Sequence, residues 1–146
     1  MPGILVGIDG SAHSRLALEW AAKEAAVHHT SLTVLAVYHA VAGFWGGTLR
    51  YAGDEELVEK VRQAAQAETD EVLASLGDAR PESVTVKTTE GAPIDEILIA
   101  GADADMIVLG SRGGGGFSRM LLGSVSANVV EHAQVPVTIV PAHRGH

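Results

Sequence analysis

Residues 106–126 have the sequence MIVLGSRGGGGFSRMLLGSVS, and this stretch decides the fold. Met106–Gly110 is apolar throughout, which is typical of a strand buried on both faces of a parallel sheet. A glycine-dense segment follows it, and Gly123–Ser126 then has the character of a helix start. A buried strand that leads through a loop into a helix is half of a β–α–β unit. The stretch therefore predicts an α/β domain built on parallel strands.

Four more strands are predicted outside this stretch. Ile4–Ile8 is apolar at nearly every position, and Leu32–Val37 is rich in β-branched residues. Val84–Lys87 alternates apolar and polar residues, which favours an edge strand with one wet face. Val137–Val140 is a short apolar run between two prolines. Because Ile4–Ile8 and Met106–Gly110 have the strongest two-face burial patterns, we expect both at the centre of the sheet.

Helical patterns separate these strands. Apolar residues recur at helical spacing over four segments, 16–26, 57–76, 93–98 and 124–132. Pro93 suits a first helical turn, and Gly77 suits a helix end. Strands that alternate with helices form parallel units with helices on both faces of the sheet. We predict a single doubly wound, three-layer domain over residues 1–146, with five parallel strands in the order 3-2-1-4-5 and a surface loop over 39–53.

Composition excludes several classes of function. The 146-residue chain has a net charge of −8 and no cysteine, so disulfides, thiolate metal sites and cysteine nucleophiles are excluded. Its negative charge argues against broad electrostatic binding to nucleic acid or to an anionic membrane. The apolar run Ile4–Ile8 is too short for a signal-peptide core or a membrane span. We therefore expect a cytoplasmic protein in which a local positive feature holds any polyanionic ligand.

The glycine-dense segment suits a phosphate group. Glycine permits positive φ and a close approach of the backbone to a ligand. A helix start at Gly123–Ser126 offers unpaired N–H groups and the positive end of the helix dipole, with Ser124 and Ser126 as extra donors and Arg112 as counter-charge. The alternative is that the glycines only allow a tight turn, since neither a Walker loop nor a dinucleotide fingerprint is present.

The fold predicts where a ligand would bind. In an open parallel sheet, ligands lie beyond the carboxyl ends of the strands, where the strand order reverses. We expect a crevice between the turns Asp9–Ser11 and Gly110–Gly113. Asp9 could bond a ribose or a metal–phosphate group, or it could only cap its own turn. Three aromatic side chains of the 39–53 segment could cover the ligand or a partner, or form a local cluster: Phe44, Trp45 and Tyr51.

The glycine spacing resembles a known signature. Two residues separate Gly110 from Gly113, and nine separate Gly113 from the pair Gly123-Ser124, as in the nucleotide-binding motif of the universal stress protein family, ATP-binding branch. The similarity extends over essentially the whole chain, including VGIDGS at 6–11 and VPVTIV at 135–140. Four consecutive glycines at 113–116 depart from many relatives but leave the motif intact.

The resemblance implies ATP as the ligand, with Mg²⁺ or Mn²⁺ held through the phosphates. It implies that the turn after the first strand lies beside the nucleoside, that Val37 meets adenine, and that the glycine loop holds phosphate and ribose. The site residues carried over are Gly7, Ile8, Asp9, Val37, Leu109, Gly110, Arg112, Gly113, Gly123, Ser124, Val125 and Ser126.

The same resemblance implies a nucleotide-dependent stress-response or regulatory protein. Chemistry is expected to be slow at most, because no general base or arginine finger can be assigned. Two alternatives remain open: a true hydrolase or phosphotransferase, and an interaction module of the same fold that binds another adenine nucleotide such as cAMP. The seven histidines show no ligand-type spacing on one element, so no metal site made by the protein alone is predicted.

The last strand predicts self-association. Val137–Val140 is expected at a sheet edge with little charge, and apolar edges invite pairing with another chain. We expect a two-fold homodimer in which this strand pairs antiparallel with its own copy, as the resemblance also implies. The alternative is that a loop or the tail Ala142–His146 covers the edge.

Overall fold

The computed structural model describes residues 3–38, 43–45, 48–50, 55–111 and 123–141. Its strands are β1 (Gly3–Ile8), β2 (Ser31–Tyr38), β3 (Gly43–Trp45), β4 (Thr48–Arg50), β5 (Ser83–Glu90), β6 (Met106–Gly110) and β7 (Val137–Val140). Its helices are α1 (Ala12–Val27), α2 (Glu55–Leu76), α3 (Pro93–Ala100) and α4 (Ser124–His132).

Five strands form one parallel sheet in the order β5-β2-β1-β6-β7. Counted along the chain, these five strands have the order 3-2-1-4-5, so the predicted topology is confirmed. The order reverses at β1, because the chain first moves outward through β2 to β5 and then returns to β6 on the other side of β1. The ends of β1 and β6 therefore form the switch point at which α/β proteins bind ligands.

Two apolar clusters cover the two faces of the sheet. One cluster joins α1 and α2 to the sheet face that carries Val6, Val34 and Val108. The other joins α3 and α4 to the face that carries Leu5 and Leu109. Every residue of β1 is buried, as its continuous apolar pattern predicts for a strand covered on both sides.

The two edge strands are those that the sequence predicts. β5 alternates exposed and half-buried residues over most of its length and extends from Ser83 to Glu90, beyond the predicted range of 84–87. β7 pairs with β6 and lies at the opposite edge. Among the helix boundaries, Pro93 lies in the first turn of α3, and Gly77 follows α2 with a φ of +63°. Both boundary signals are confirmed.

The prediction of a loop over residues 39–53 is wrong in part. Gly43–Trp45 and Thr48–Arg50 pair antiparallel, with Phe44 opposite Leu49. Aromatic and branched residues favour extended pairing, and the two glycines between the strands are of the kind that short hairpin connections select. The glycine content hid this signal, because it favoured a loop as much as a hairpin.

Candidate functional site

Three central strands end side by side at the predicted edge of the sheet. Ile8 is paired with Ala36 on β2, so Val37 lies one residue beyond that pair. On the other side of β1, Val6 is paired with Val108, which places Gly110 level with Ile8. Residues far apart in the sequence are therefore neighbours here, as parallel strand ends require.

The predicted site residues fall into two groups at this edge. Gly7 and Ile8 end β1 with Asp9 directly after them, Val37 lies near the end of β2, and Leu109 and Gly110 end β6. Across the loop, the first residues of α4 and its N-cap complete the set: Gly123, Ser124, Val125 and Ser126. Arg112 and Gly113 lie outside the described residues.

The turn after β1 satisfies its own hydrogen bonds. The Asp9 carboxylate accepts a bond of 2.9 Å from the Ser11 N–H. The Ser11 hydroxyl oxygen caps α1 by accepting the Ser14 N–H at 3.2 Å, and the Ser14 hydroxyl oxygen accepts the Asp9 N–H at 3.1 Å. Gly10 allows the turn, with a φ of +84°. Capping is thus one role of Asp9, and the Ser14 N–H in the first turn of α1 has a side-chain acceptor within the protein.

Packing within the protein accounts for two of the predicted glycines. A Cβ on Gly110 would lie 2.7 Å from the carbonyl oxygen of His13, in the first turn of α1. A Cβ on Gly7 would lie 3.0 Å from Leu109 and 3.3 Å from Ile97. Position 110 needs glycine because the backbone of β6 meets the backbone of α1, whereas at position 7 the side-chain ends of Leu109 and Ile97 would have to shift slightly.

The two ends of the segment 112–122 are held together at Ser111. The carbonyl oxygen of Ser111 accepts the Gly123 N–H at 2.6 Å and the Ser126 hydroxyl at 2.9 Å. The Ser111 N–H donates to the carbonyl of Val140 on β7, which ties the same point to the sheet. Ser111 and Ser126 are both buried. The Ser126 hydroxyl, predicted as a ligand donor, thus positions the loop ends, and sequence reasoning missed Ser111 entirely.

The N-terminus of α4 is open, unlike that of α1. Gly123 occupies the N-cap position and brings no side-chain cap. Among the described residues, no acceptor pairs with the backbone N–H groups of Ser124, Val125 and Ser126. The first turn of α4 contains no acidic residue. Three donors without an acceptor in the described part of the chain, at the positive end of a helix dipole, are suited to an anion.

Carboxylates lie beside α1 on the side of α2. The Arg15 guanidinium binds Glu71 at 2.6 Å and so links α1 to α2. Burial raises the pKa of the neighbouring Glu68 carboxyl; Arg15 opposes this shift, and the negative charges of Glu71, Asp9 and Glu19 add to it. The carboxylates of Glu19, Glu68 and Glu71 thus share this side of α1 with the Arg15 guanidinium.

The described residues contain no group of three or more histidine or acidic side chains placed to hold a metal ion. Within the same residues, none of the helices has the length and apolar character that crossing a bilayer demands.

Known proteins resemble this chain over nearly its full length. Residues 2–141 match the model of the universal stress protein family. A universal stress protein of Mycolicibacterium smegmatis is 34% identical over 94% of this chain, which spans 47% of that relative. A universal stress protein of Thermus aquaticus is also 34% identical, over 94% of this chain and 96% of its own length. The chain thus spans about half the length of several mycobacterial relatives and nearly all of the Thermus aquaticus relative.

Solved structures share the fold. UspA from Lactobacillus plantarum superimposes with a TM-score of 0.77 at 25% identity, covering 95% of this chain and 97% of its own. A universal stress protein in complex with cAMP has a TM-score of 0.68 at 24% identity, with 96% of each chain covered. One from Archaeoglobus fulgidus in complex with dAMP has a TM-score of 0.57 at 24% identity, covering 95% and 97%. On the family match and these likenesses together, the chain belongs to the universal stress protein family.

Proposed function

We propose that this chain binds ATP at the carboxyl edge of the sheet, in the crevice between the β1 turn and the start of α4. The observation that carries the proposal is the open N-terminus of α4, where the N–H groups of Ser124, Val125 and Ser126 have no acceptor among the described residues. Unpaired donors at a helix start bind phosphate oxygens. At the α1 turn, the Asp9 carboxylate already accepts the Ser11 N–H and the Ser11 hydroxyl oxygen accepts the Ser14 N–H, whereas α4 has no side-chain cap, and this favours the α4 side for the phosphates.

Each site residue then has a part in this arrangement. Gly7, Ile8 and Asp9 lie beside the nucleoside, and the backbone of Val37 meets adenine. The loop from Leu109 and Gly110 through Arg112 and Gly113 to Gly123 surrounds the phosphates and ribose. A Mg²⁺ or Mn²⁺ ion would be held through the phosphate oxygens, since oxygen ligands from a nucleotide are the usual partners of such ions.

Two relatives of the same fold support an adenine ligand. Their structures contain cAMP and dAMP, which share the adenine ring and a phosphate with ATP. The extra phosphates of ATP are supported by the spacing of Gly110, Gly113 and Gly123-Ser124 and by the number of free donors at α4. We propose a single nucleotide-binding domain over residues 1–146 that acts in the cytoplasm as a nucleotide-dependent stress-response or regulatory protein, with slow hydrolysis at most.

Thermal unfolding with different nucleotides tests the ligand. A ligand that binds only the folded state raises the melting temperature, so ATP with Mg²⁺ is expected to raise Tm, and more than AMP or cAMP does. No shift at millimolar ATP would overturn the proposal, and a larger shift with cAMP would assign the site to a cyclic nucleotide instead. Steady-state phosphate release on the same sample separates a binding protein from a hydrolase.

We propose that the chain forms a homodimer through β7. The ladder joins the Ile107 N–H to the Pro136 carbonyl and the Ser111 N–H to the Val140 carbonyl, so the even-numbered residues of β7 face β6. The backbone groups of Val137 and Ile139 therefore point to the free edge, where an antiparallel copy would pair with them.

Two variants of Ile139 separate edge pairing from packing. Ile139 packs against the α3/α4 cluster, so Ile139→Ala and Ile139→Pro both lose that contact. Only Ile139→Pro also removes the N–H at the free edge. Light scattering at micromolar concentration is expected to give a dimer mass for the native chain and Ile139→Ala, and a monomer mass for Ile139→Pro. A native monomer would refute the dimer.

A further inference from the structure

A cavity lies at the amino-terminal end of the sheet, opposite the proposed nucleotide site. It has a volume of about 250 Å³ and is bordered by the C-terminal ends of α3 and α4, by Ile107 of β6 and by the segment before β7. Its lining residues are Leu98, Gly101, Ala102, Ile107, His132, Ala133, Gln134 and Val135. The cavity is smaller than the roughly 300–1,000 Å³ of sites for drug-sized ligands, so it suits a short chemical group.

The body of this pocket is apolar, and its shape depends on one glycine. A Cβ on Gly101 would lie 2.5 Å from the Cδ1 of Ile107, which itself is buried. Gly101 therefore lets Ile107 form the floor of the pocket at the C-terminal end of α3. A small apolar chamber of this kind suits methylene groups.

Two helix C-termini point toward the pocket. α3 ends at Ala100 and has no basic residue in its last turn, and α4 ends at His132. Among the described residues, no backbone N–H donates to the carbonyls of Val130, Glu131 or His132. Helix C-termini carry partial negative charge and free carbonyl acceptors, so a positively charged donor is favoured here.

His132 lies at the rim of the pocket. Its Nδ1 lies 2.9 Å from the carbonyl oxygen of Asn128. Because a carbonyl can only accept, Nδ1 donates in this hydrogen bond, which fixes the ring against the last turn of α4.

The charge of the surrounding chain has one sign. Residues 88–111 and 123–141, which include α3, α4, β6 and β7, contain no lysine or arginine. They contain six carboxylates, of which three lie at the pocket's end of the sheet, Asp103, Asp105 and Glu131, and three at the carboxyl end, Glu90, Asp95 and Glu96. Asp103 directly follows Ala102 at the pocket, and Glu131 directly precedes His132. The field at the pocket therefore attracts cations.

From these observations we infer that the pocket between the C-termini of α3 and α4 binds a guanidinium or ammonium group carried on a short aliphatic stem. The stem lies on Leu98, Ile107 and Val135, and the cationic head meets the carbonyl of His132 at the end of α4. Such a group exists on free small cations and on the arginine or lysine side chain of a protein partner, and the two sources share this chemistry.

An NMR titration of the native chain with butylguanidinium tests the inference. The amide signals of Ala102, Ile107 and Val135 are expected to shift in a saturable way. N-butylurea, which has a similar shape and no charge, is the matched ligand and is expected to bind at least several-fold more weakly. Equal binding of both compounds, or no shift of these signals at millimolar butylguanidinium, would overturn the inference. Nucleotide is absent throughout, so the outcome is independent of the proposed function.

Variants of Gln134 test the sign of the charge. Gln134 is exposed, so Gln134→Lys and Gln134→Glu should both fold. A like charge beside the head group is expected to weaken butylguanidinium binding roughly fivefold in the lysine variant, and the glutamate variant is expected to bind at least as tightly as the native chain. Gln63→Lys on the exposed surface of α2 makes the same change of charge far from the pocket and should leave the affinity unchanged. An equal loss of affinity in Gln134→Lys and Gln63→Lys would contradict the inference, because the net charge of the chain and not the charge at the pocket would then set the affinity.

Peptides distinguish the two sources of the cation. Ile99 and Val130 are exposed aliphatic residues on the helices that enclose the pocket, 69% and 46% exposed. If a protein partner supplies the cation, a blocked Leu-Arg-Leu peptide is expected to bind more tightly than butylguanidinium, and Ile99→Ser should remove that gain. Equal affinities that Ile99→Ser leaves unchanged assign the pocket to a free small cation. Citrulline is similar in shape to arginine but carries no charge. A citrulline peptide that binds as tightly as the arginine peptide would therefore contradict a cation from either source.

Discussion

Two helices begin at the same edge of the sheet, and they begin in opposite ways. At α1, hydroxyl and carboxylate oxygens of Ser11, Ser14 and Asp9 accept three N–H groups of the turn. At α4, the N-cap is a glycine, the first turn has no acid, and three N–H groups have no partner among the described residues. A helix start that the protein caps itself stabilises the fold, whereas one left open is available to a ligand.

The comparison also separates two uses of glycine. Gly110 allows β6 to touch α1, and Gly123 stands at the open end of α4 with an extended backbone, φ −78° and ψ 175°. Both belong to the same motif in the sequence. Their expected effects on substitution nevertheless differ, since Gly110 acts on stability and Gly123 on the ligand.

The largest effect is expected for Gly123→Val. Valine adopts the extended backbone of Gly123 without strain, so the fold should survive, while the added branch keeps phosphate from the free N–H groups. At a nucleotide concentration of about 100 times the native Kd, the lost stabilisation would be about 2.7 kcal/mol. Calorimetry with and without ATP and Mg²⁺ measures it.

Ala92→Val is the matched control, because Ala92 is the N-cap of α3 and has a similar extended backbone and no side-chain cap. It should keep the full response to nucleotide. A folded Gly123→Val variant with unchanged affinity would show that the α4 end is not the phosphate site.

A smaller loss is expected for Gly110→Ala, and it concerns the protein without ligand. The new methyl group would lie 2.7 Å from the His13 carbonyl oxygen, so β6 or the first turn of α1 must move. Overpacking of this kind costs about 2 kcal/mol. Chemical denaturation measures the loss. An unchanged free energy of unfolding would mean that β6 and α1 move apart to admit the methyl group without loss of stability.

The cap of α1 gives the next effect. Ser11→Ala removes the acceptor for the Ser14 N–H and should lower the free energy of unfolding by about 1 kcal/mol. Ser124→Ala removes the exposed hydroxyl of the first residue of α4, which caps nothing, and should change stability by less than about 0.5 kcal/mol without nucleotide. Equal losses in the two variants would mean that the two helix starts do not differ as described.

The smallest effect concerns the acidic surroundings of α1. Burial raises the pKa of Glu68 in the folded state, so its contribution to stability is present at low pH and is lost as pH rises through that raised value. Glu68→Gln should therefore be more stable than the native chain at neutral pH, and the difference should narrow on acidification. Unfolding curves at several pH values test this, with the exposed Glu82→Gln as a control that should show no such trend.

The fold was predictable because its signals are local. The continuous apolar runs of β1 and β6 identify the central strands, and Pro93 and Gly77 mark helix boundaries within a few residues. The hairpin at 43–50 was missed because its glycines suit a loop equally well. Adjacent residues carry most of the information that these patterns use.

The site was predictable only in outline, because its key contacts join distant residues. The bond from the Ser126 hydroxyl to the Ser111 carbonyl spans 15 positions, and the Arg15–Glu71 pair spans 56. The approach of Gly110 to His13 also exists only once β6 lies under α1. No periodicity or spacing in the sequence encodes such contacts, so Ser111 carried no signal and Ser126 was given the role of a ligand donor.

The bond between Ser111 and Gly123 has a consequence for how this protein can be altered. The segment 112–122 has eleven residues, and the residues on either side of it, Ser111 and Gly123, are joined by a hydrogen bond. Once the ends of a loop are fixed, each doubling of its length costs only about 0.6 kcal/mol of closure entropy. The carboxyl end of the sheet thus fixes the two ends of a segment whose length and sequence can change. Inserts of other lengths between the same two anchors would change what is bound and leave the construction of the sheet intact.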